Sequence, residues 1–169
     1  ESGCEWGCFD YSQQEPRLVV HYASLDQDTS VFSVKDSYLQ DDADFHTIVA
    51  KMADIPRSQA KVINLGLFYG MGKAKLQAEL GVSKEKAEEL FTIYHERVPF
   101  VKSLMNSVSN RAQQRGQIRT LLGRLCRFHL WEPNQFGIHK ALPFDQARQE
   151  YGAGIKRAYT YKALNKLIQ

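Results

Sequence analysis

The chain has 169 residues, 43% of them hydrophobic and 24% charged, with a formal net charge of +3. That length accommodates one domain with a real core, and the balance is that of an ordinary globular protein with no apolar run of membrane-spanning length. The first residues carry no signal-peptide pattern, so none is expected, and so small a net charge is only a weak pointer toward polyanionic partners.

Cys4, Trp6 and Cys8 alternate with Glu5 and Gly7, a period of two that predicts a strand over residues 3–11 with Asp10 at its carboxyl end. On one strand face Cys4 and Cys8 stand roughly 13 Å apart, too far for a disulfide. With Cys126 they read as free thiols in a reducing compartment rather than as a bridge or a zinc site. From Gln14 the pattern turns amphipathic, predicting a helix with Leu18, Val19, Tyr22 and Leu25 on its inner face. Such a junction leaves Asp10 in a crevice, where its carboxylate suits a helix cap or a divalent metal; position alone favours the cap. Residues 26–43 are polar and turn-rich, with a short extended piece at 31–34 and an acidic run at Asp41, Asp42 and Asp44 that reads as a solvated helix start. Ile48, Val49, Met52 and Ile55 then fit a helix.

Residues 56–72, PRSQAKVINLGLFYGMG, present Arg57, Lys61, Leu65 and Tyr69 four residues apart. A step of four drifts only about 40° around a helix axis, so these side chains form one stripe: two cations, an apolar residue and an aromatic. Pro56 suits the helix start, and Gly70 and Gly72 its end. Two cations near the positive end of a helix dipole call for an anion of several charges, such as a triphosphate. Val62, Ile63, Leu67 and Phe68 lie on other faces, available for burial.

A helix at 73–80 and a break at Gly81 follow, then a helical pattern from Ser83, a good N-cap, to about Gln114 that Pro99 kinks or restarts. Its apolar positions, Leu90, Phe91, Tyr94, Val98, Val101, Leu104, Met105 and Val108, read as core. Gly116 turns the chain into a short extended pair within an arginine-rich stretch, either a solvated basic surface or a set of phosphate contacts. Residues 131–154 read as an irregular insertion, and 159–169 as a helix with Ala163, Leu164, Leu167 and Ile168 apolar and Asn165 and Gln169 one turn apart.

Arg57, Lys61, Tyr69 and Gly70 carry a spacing that resembles motif B, the fingers helix of family-A DNA polymerases. Upstream, residues 10–17, DYSQQEPR, resemble motif A of the same family. The Asp44–His46 segment, the pattern from Gly116 to Arg124 and the Asn165–Gln169 pair also resemble family segments, in family order, so that the resemblance covers essentially the whole chain. It implies an α+β, mostly helical fold: a partial palm sheet plus the helical fingers subdomain of a right-hand polymerase. The implied division is palm at 1–34, fingers at 35–115, and a return to palm at 116–169.

The resemblance further implies template-directed transfer of a nucleotide from a dNTP to a primer 3′-hydroxyl by a two-metal mechanism. Asp10 and the backbone carbonyl of Tyr11 would hold Mg²⁺, two ions in the complete enzyme. Arg57, Lys61 and His46 would bind phosphates, with Lys61 also a general acid. Gln13, Glu15, Leu65 and Tyr69 would complete the nucleotide site, Glu15 and Tyr69 excluding a 2′-hydroxyl. Tyr69, Gly70, Thr120, Arg124, Asn165 and Gln169 would meet primer–template DNA. Leu65, where many members have an aromatic residue, and Tyr161, where cellular members often have arginine, suggest a viral or otherwise divergent branch. The family's His-Asp-Glu turn, with the second catalytic aspartate, is not in the sequence, nor is a thumb or an exonuclease segment. The expected partners therefore include the remainder of a longer polymerase chain and no membrane, in an intracellular setting, and these residues alone are expected to be inactive. The alternative from another class is a noncatalytic nucleic-acid-binding module derived from a polymerase.

Overall fold

Helices dominate because most of the sequence repeats its apolar residues with helical period. The computed structural model describes residues 3–26, 28–40, 43–135 and 137–169. Helix α1 (Gln14–Leu25) buries Pro16, Val19, Val20 and Ala23, while Leu18 and Tyr22 are partly covered. Leu25, expected on the inner face, is exposed: it ends the helix, past the last turn that packs. A 3₁₀ turn (Thr29–Val31) and α2 (Phe32–Leu39) replace the short extended piece expected at 31–34. The Asp28 side chain accepts from the Ser30 N–H and starts the turn, a local capping bond that outweighs the β-branched residues that follow. Asp41 and Asp42 of the acidic run lie outside the described residues.

Helix α3 (Phe45–Ala53) packs against α4 (Arg57–Phe68), which leads into α5 (Lys73–Leu80). Ser83 caps α6 (Lys84–Arg97) by accepting from the Lys86 N–H at 3.2 Å. Proline at the first position of α7 (Pro99–Arg115) makes it a fresh helix rather than a kinked continuation. Helix α7 is the central post, in contact with α1, α6 and the C-terminal α9 (Ala163–Ile168). One cluster forms the core, with Phe45 at its centre against Phe68 and Phe100, ring centroids 6.0 and 6.3 Å away. Full burial of each such side chain contributes about 1.5–3 kcal/mol.

Among the described residues, two small antiparallel sheets complete the α+β architecture. The first is the hairpin of β1 (Gln117–Arg119) and β2 (Leu125–Arg127), as expected after Gly116. The second, in the order β4-β3-β5, contains β3 (Leu130–Pro133), β4 (Leu142–Pro143) and β5 (Ile155–Arg157), with α8 (Phe144–Tyr151) between β4 and β5. The stretch 131–154 is thus not irregular. Its order comes from Arg157, which lies 4.5 Å over the Trp131 ring and donates from Nε to the Gln113 carbonyl and from Nη1 to that of Phe128. Gly116, at φ 69°, makes room: a Cβ there would stand 2.7 Å from the Arg157 guanidinium carbon.

Residues 3–11 do not form the expected strand, and Asp10 is exposed rather than set in a crevice. A strand needs ladder partners, and none of the described strands pairs with this segment. Trp6, Phe9 and Tyr11 are accordingly exposed.

Candidate functional site

The predicted stripe stands on the open side of α4: Arg57, Lys61 and Tyr69 are exposed and Leu65 half-buried, while Ala60, Ile63, Leu67 and Phe68 are buried beneath. Pro56, with φ −57° and ψ 140°, directs the chain into the helix as its N-cap, one residue before the first helical position. At the other end the Gly70 N–H donates to the Leu67 carbonyl at 3.0 Å and the Met71 N–H to that of Gly66 at 2.7 Å. These two bonds make a Schellman cap that requires the left-handed φ of 69° at Gly70. The cap fixes Tyr69 as the last residue before the turn.

Tyr69 Oη donates to Glu15 Oε1 at 2.7 Å, joining α4 to the start of α1, and Gln169 Nε2 lies 3.5 Å from the same hydroxyl. The bond to Glu15, with some burial, raises the Tyr69 pKa, so the phenol stays a donor. Three elements far apart in sequence therefore meet at one side chain.

The N-terminal end of the stripe is equally built. Arg57 Nε donates to Asp44 Oδ2 at 2.6 Å and to Thr47 Oγ1 at 3.2 Å. Burial pushes the Asp44 carboxyl up, but the bonds from Thr47 and Arg57 and the guanidinium charge outweigh it and hold the group at about 2. Arg57 is thereby anchored through Nε. His46 is buried at the start of α3, and its Nδ1 lies 3.0 Å from Asn64 Nδ2. Asn64 in turn accepts from the hydroxyl of Tyr94. Burial lowers the His46 pKa; Asp44 opposes this, and Arg57 and Lys61 add to it.

Gln13 sits at φ 54° before α1. Its Nε2 donates to the Ala43 carbonyl, and its Oε1 accepts from Tyr38 Oη and the Phe45 N–H. It ties the motif-A turn to the entrance of α3. A cavity of about 650 Å³ brings together Tyr11, Thr120, Arg124 and Gln169, with Leu121 and Leu122 on its wall. Thr120 Oγ1 accepts from the Arg124 N–H and shapes the β1–β2 turn. Asn165 Nδ2 is buried without a hydrogen-bond partner among the described residues. The ring of Tyr161 covers Gly70, with Cδ2 3.1 Å from where a Cβ would stand.

Asp10 and the Tyr11 carbonyl are adjacent oxygen donors of the kind that suits Mg²⁺, which binds through one or two carboxylates together with substrate phosphates and water. They fit as part of such a set: among the described residues no group of three or more His, Cys, Asp or Glu side chains gathers as a full one. Nor is any described helix long and apolar enough to cross a membrane. Thr47, Asn64 and Tyr94 were not singled out by the sequence as site residues. The one available signal was an asparagine in the middle of an otherwise apolar helical face, a residue type that competes with the backbone for hydrogen bonds.

The model of DNA polymerase family A matches residues 1–169. A DNA-directed DNA polymerase of Pseudomonas phage M6 is 32% identical over 211 aligned residues, covering 100% of this chain and 29% of the phage protein. DNA polymerase I of Bacillus caldotenax is 33% identical over 134 residues, covering 73% of this chain and 14% of that protein. Among solved structures, the POL domain of Pol1 from M. smegmatis, in complex with DNA primer-template and dNTP, superposes with a TM-score of 0.66 at 26% identity. That match covers 94% of this chain and 25% of the other. The chain thus spans less than a third of the length of the relatives it matches.

Proposed function

The chain belongs to DNA polymerase family A, and from that premise we propose that it forms the deoxynucleotide-binding part of an enzyme that extends a primer 3′-hydroxyl from a dNTP along a DNA template. The observation that supports this best is the exposed stripe of α4, with Arg57 and Lys61 at one end and Tyr69 bonded to Glu15 at the other. A triphosphate laid along it meets cations, and its sugar meets the Glu15–Tyr69 pair.

Arg57, anchored through Nε, offers its terminal amino groups as a fork for phosphate oxygens, and Lys61 offers a compact charge. Lys61 is also placed to protonate the leaving pyrophosphate as general acid. His46 reaches the phosphates from the start of α3. The Glu15–Tyr69 bond forms a wall where a 2′-hydroxyl would intrude, and Leu65 gives the base or sugar an apolar surface. Tyr69, Gly70, Thr120, Arg124, Asn165 and Gln169 face the primer–template. The Asp10 carboxylate and Tyr11 carbonyl are the residues that would hold Mg²⁺, which supplies activation of the 3′-hydroxyl and neutralisation of the leaving group. The second carboxylate and the thumb belong to the rest of the polymerase. In this reading residues 1–34 and 116–169 are palm and 35–115 fingers, and the phage and bacterial relatives support an intracellular setting.

The test is single-nucleotide incorporation by a polypeptide containing this chain within a complete polymerase domain. Asp10→Asn abolishes incorporation while DNA binding persists. Glu15→Ala keeps incorporation but relaxes deoxyribose selection by about tenfold or more, as expected from losing about 1–3 kcal/mol of discrimination. Full incorporation by Asp10→Asn, or unchanged sugar selection in Glu15→Ala, contradicts the proposal; DNA binding with no incorporation by the wild type supports the noncatalytic alternative.

A further inference from the structure

We propose that Asn64 and Tyr94 are positioning residues that hold His46 as a neutral imidazole with its single proton on Nε2. The inference rests on the reading that His46 meets the nucleotide's phosphates. Asn64 and Tyr94 are both fully buried, one on α4 and the other on α6, and His46 on α3 is buried beside them. The three side chains form a line: Tyr94 donates to Asn64 Oδ1, and Asn64 Nδ2 faces His46 Nδ1 at 3.0 Å.

Proton counting fixes the direction of this line. Tyr94 has one hydroxyl proton, and its only partner among the described residues is Asn64. With Asn64 Oδ1 toward Tyr94, the phenolic proton has its acceptor and an amide proton lies toward His46 Nδ1. Turning the amide over would leave the phenolic proton unpaired in a site closed to water, a costly arrangement. Asn64 therefore presents its NH₂ group to His46, whose Nδ1 must act as acceptor. The proton is left on Nε2, which has no hydrogen-bond partner among the described residues and is free to donate to an oxyanion.

The charges around His46 agree. The titratable groups that act on it are Asp44 on one side and Arg57 and Lys61 on the other. A protonated imidazole would add a third cation to that end of the stripe and lose its bond from Asn64. A neutral Nε2–H adds a directed donor without further repulsion. Asn64 thus occupies a core position that an apolar side chain would fill equally well if packing alone mattered.

The test is ¹⁵N NMR of the histidines in a polypeptide containing this chain within a complete polymerase domain, paired with steady-state incorporation kinetics. Wild-type His46 shows the Nε2–H tautomer at neutral pH; the Nδ1–H tautomer or an imidazolium there overturns the proposal. Tyr94→Phe keeps the ring in the core but frees the Asn64 amide to turn, and Asn64→Leu removes the donor. Both are expected to give a mixed tautomer signal and a KM for dNTP raised about tenfold, with kcat less affected. An unchanged tautomer and KM in both variants means a structural role only and overturns the proposal. His46→Ala separates the two readings. If it leaves KM unchanged, the phosphate reading fails; if it raises KM while the two partners' variants do not, the positioning role alone fails.

Discussion

Asp44 accepts from Thr47 and from Arg57, and although burial works against its charged form these partners bring it to about 2 from an ordinary 3.8. The carboxylate is therefore better stabilised in the folded chain than in the unfolded one. Because the folded value is the lower, that contribution is complete above about pH 3.8 and is lost as pH falls toward about 2. Arg57 is more than half exposed, so the pair is screened and worth about 0.5–1 kcal/mol. Asp44→Asn should lower stability by that amount at pH 7, with the gap to wild type closing below about pH 4. Thermal denaturation of both proteins across pH 3–7 checks this, and a gap that widens toward acid would contradict it. The same carboxylate illustrates how much of the site was hidden in sequence. The stripe itself could be read from spacing, but the anchor that takes up Arg57 Nε lies at the N-cap of the preceding helix, thirteen residues earlier.

At the scale of elements, α4 works as a ruler because both of its ends are fixed. Its first residue is set by Pro56 and its last by the Schellman cap at Gly70, which holds Tyr69 within reach of Glu15. An alanine at position 70 would have to adopt a left-handed conformation, costing about 1–2 kcal/mol. Its Cβ would also stand 3.1 Å from the Tyr161 ring and 3.2 Å from the Tyr161 carbonyl oxygen. Gly70→Ala should therefore destabilise the protein by at least about 1–2 kcal/mol in urea unfolding, whereas no loss would mean that the cap is not strained. Helices such as α4, α6 and α7 were legible because period, caps and prolines all lie within the element. The segment 3–11 was not, because alternation shows which faces a strand would have and says nothing about whether a neighbour is there to pair with it. Residues 131–154 hid their order for a related reason: the sheet they form is pinned by Arg157 reaching Trp131 and Gln113, contacts that no local pattern announces.

Across the whole molecule, the sequence's two polymerase-like signatures converge through contacts made at long range. Glu15 and Gln13 come from the start of α1; the first meets Tyr69 at the end of α4, the second braces the entrance to α3. Gln169, at the far end of the chain, lies beside the same tyrosine. The order of the motifs was readable, since each keeps its own spacing. The buried line from Tyr94 through Asn64 to His46 was not, because Tyr94 is indistinguishable in sequence from an ordinary core aromatic. What unites these features is a single claim, that the exposed stripe of α4 binds a nucleoside triphosphate. The most direct measurement is calorimetric titration of Mg–dNTP into a polypeptide containing this chain within a complete polymerase domain, held with primer–template. Wild type is compared with Arg57→Ala and Lys61→Ala. The account predicts that each substitution weakens binding about tenfold or more, as for loss of a charge-assisted contact of about 1.5–3 kcal/mol, and that the wild-type affinity falls as salt rises. Binding that is equally tight in all three proteins would contradict it.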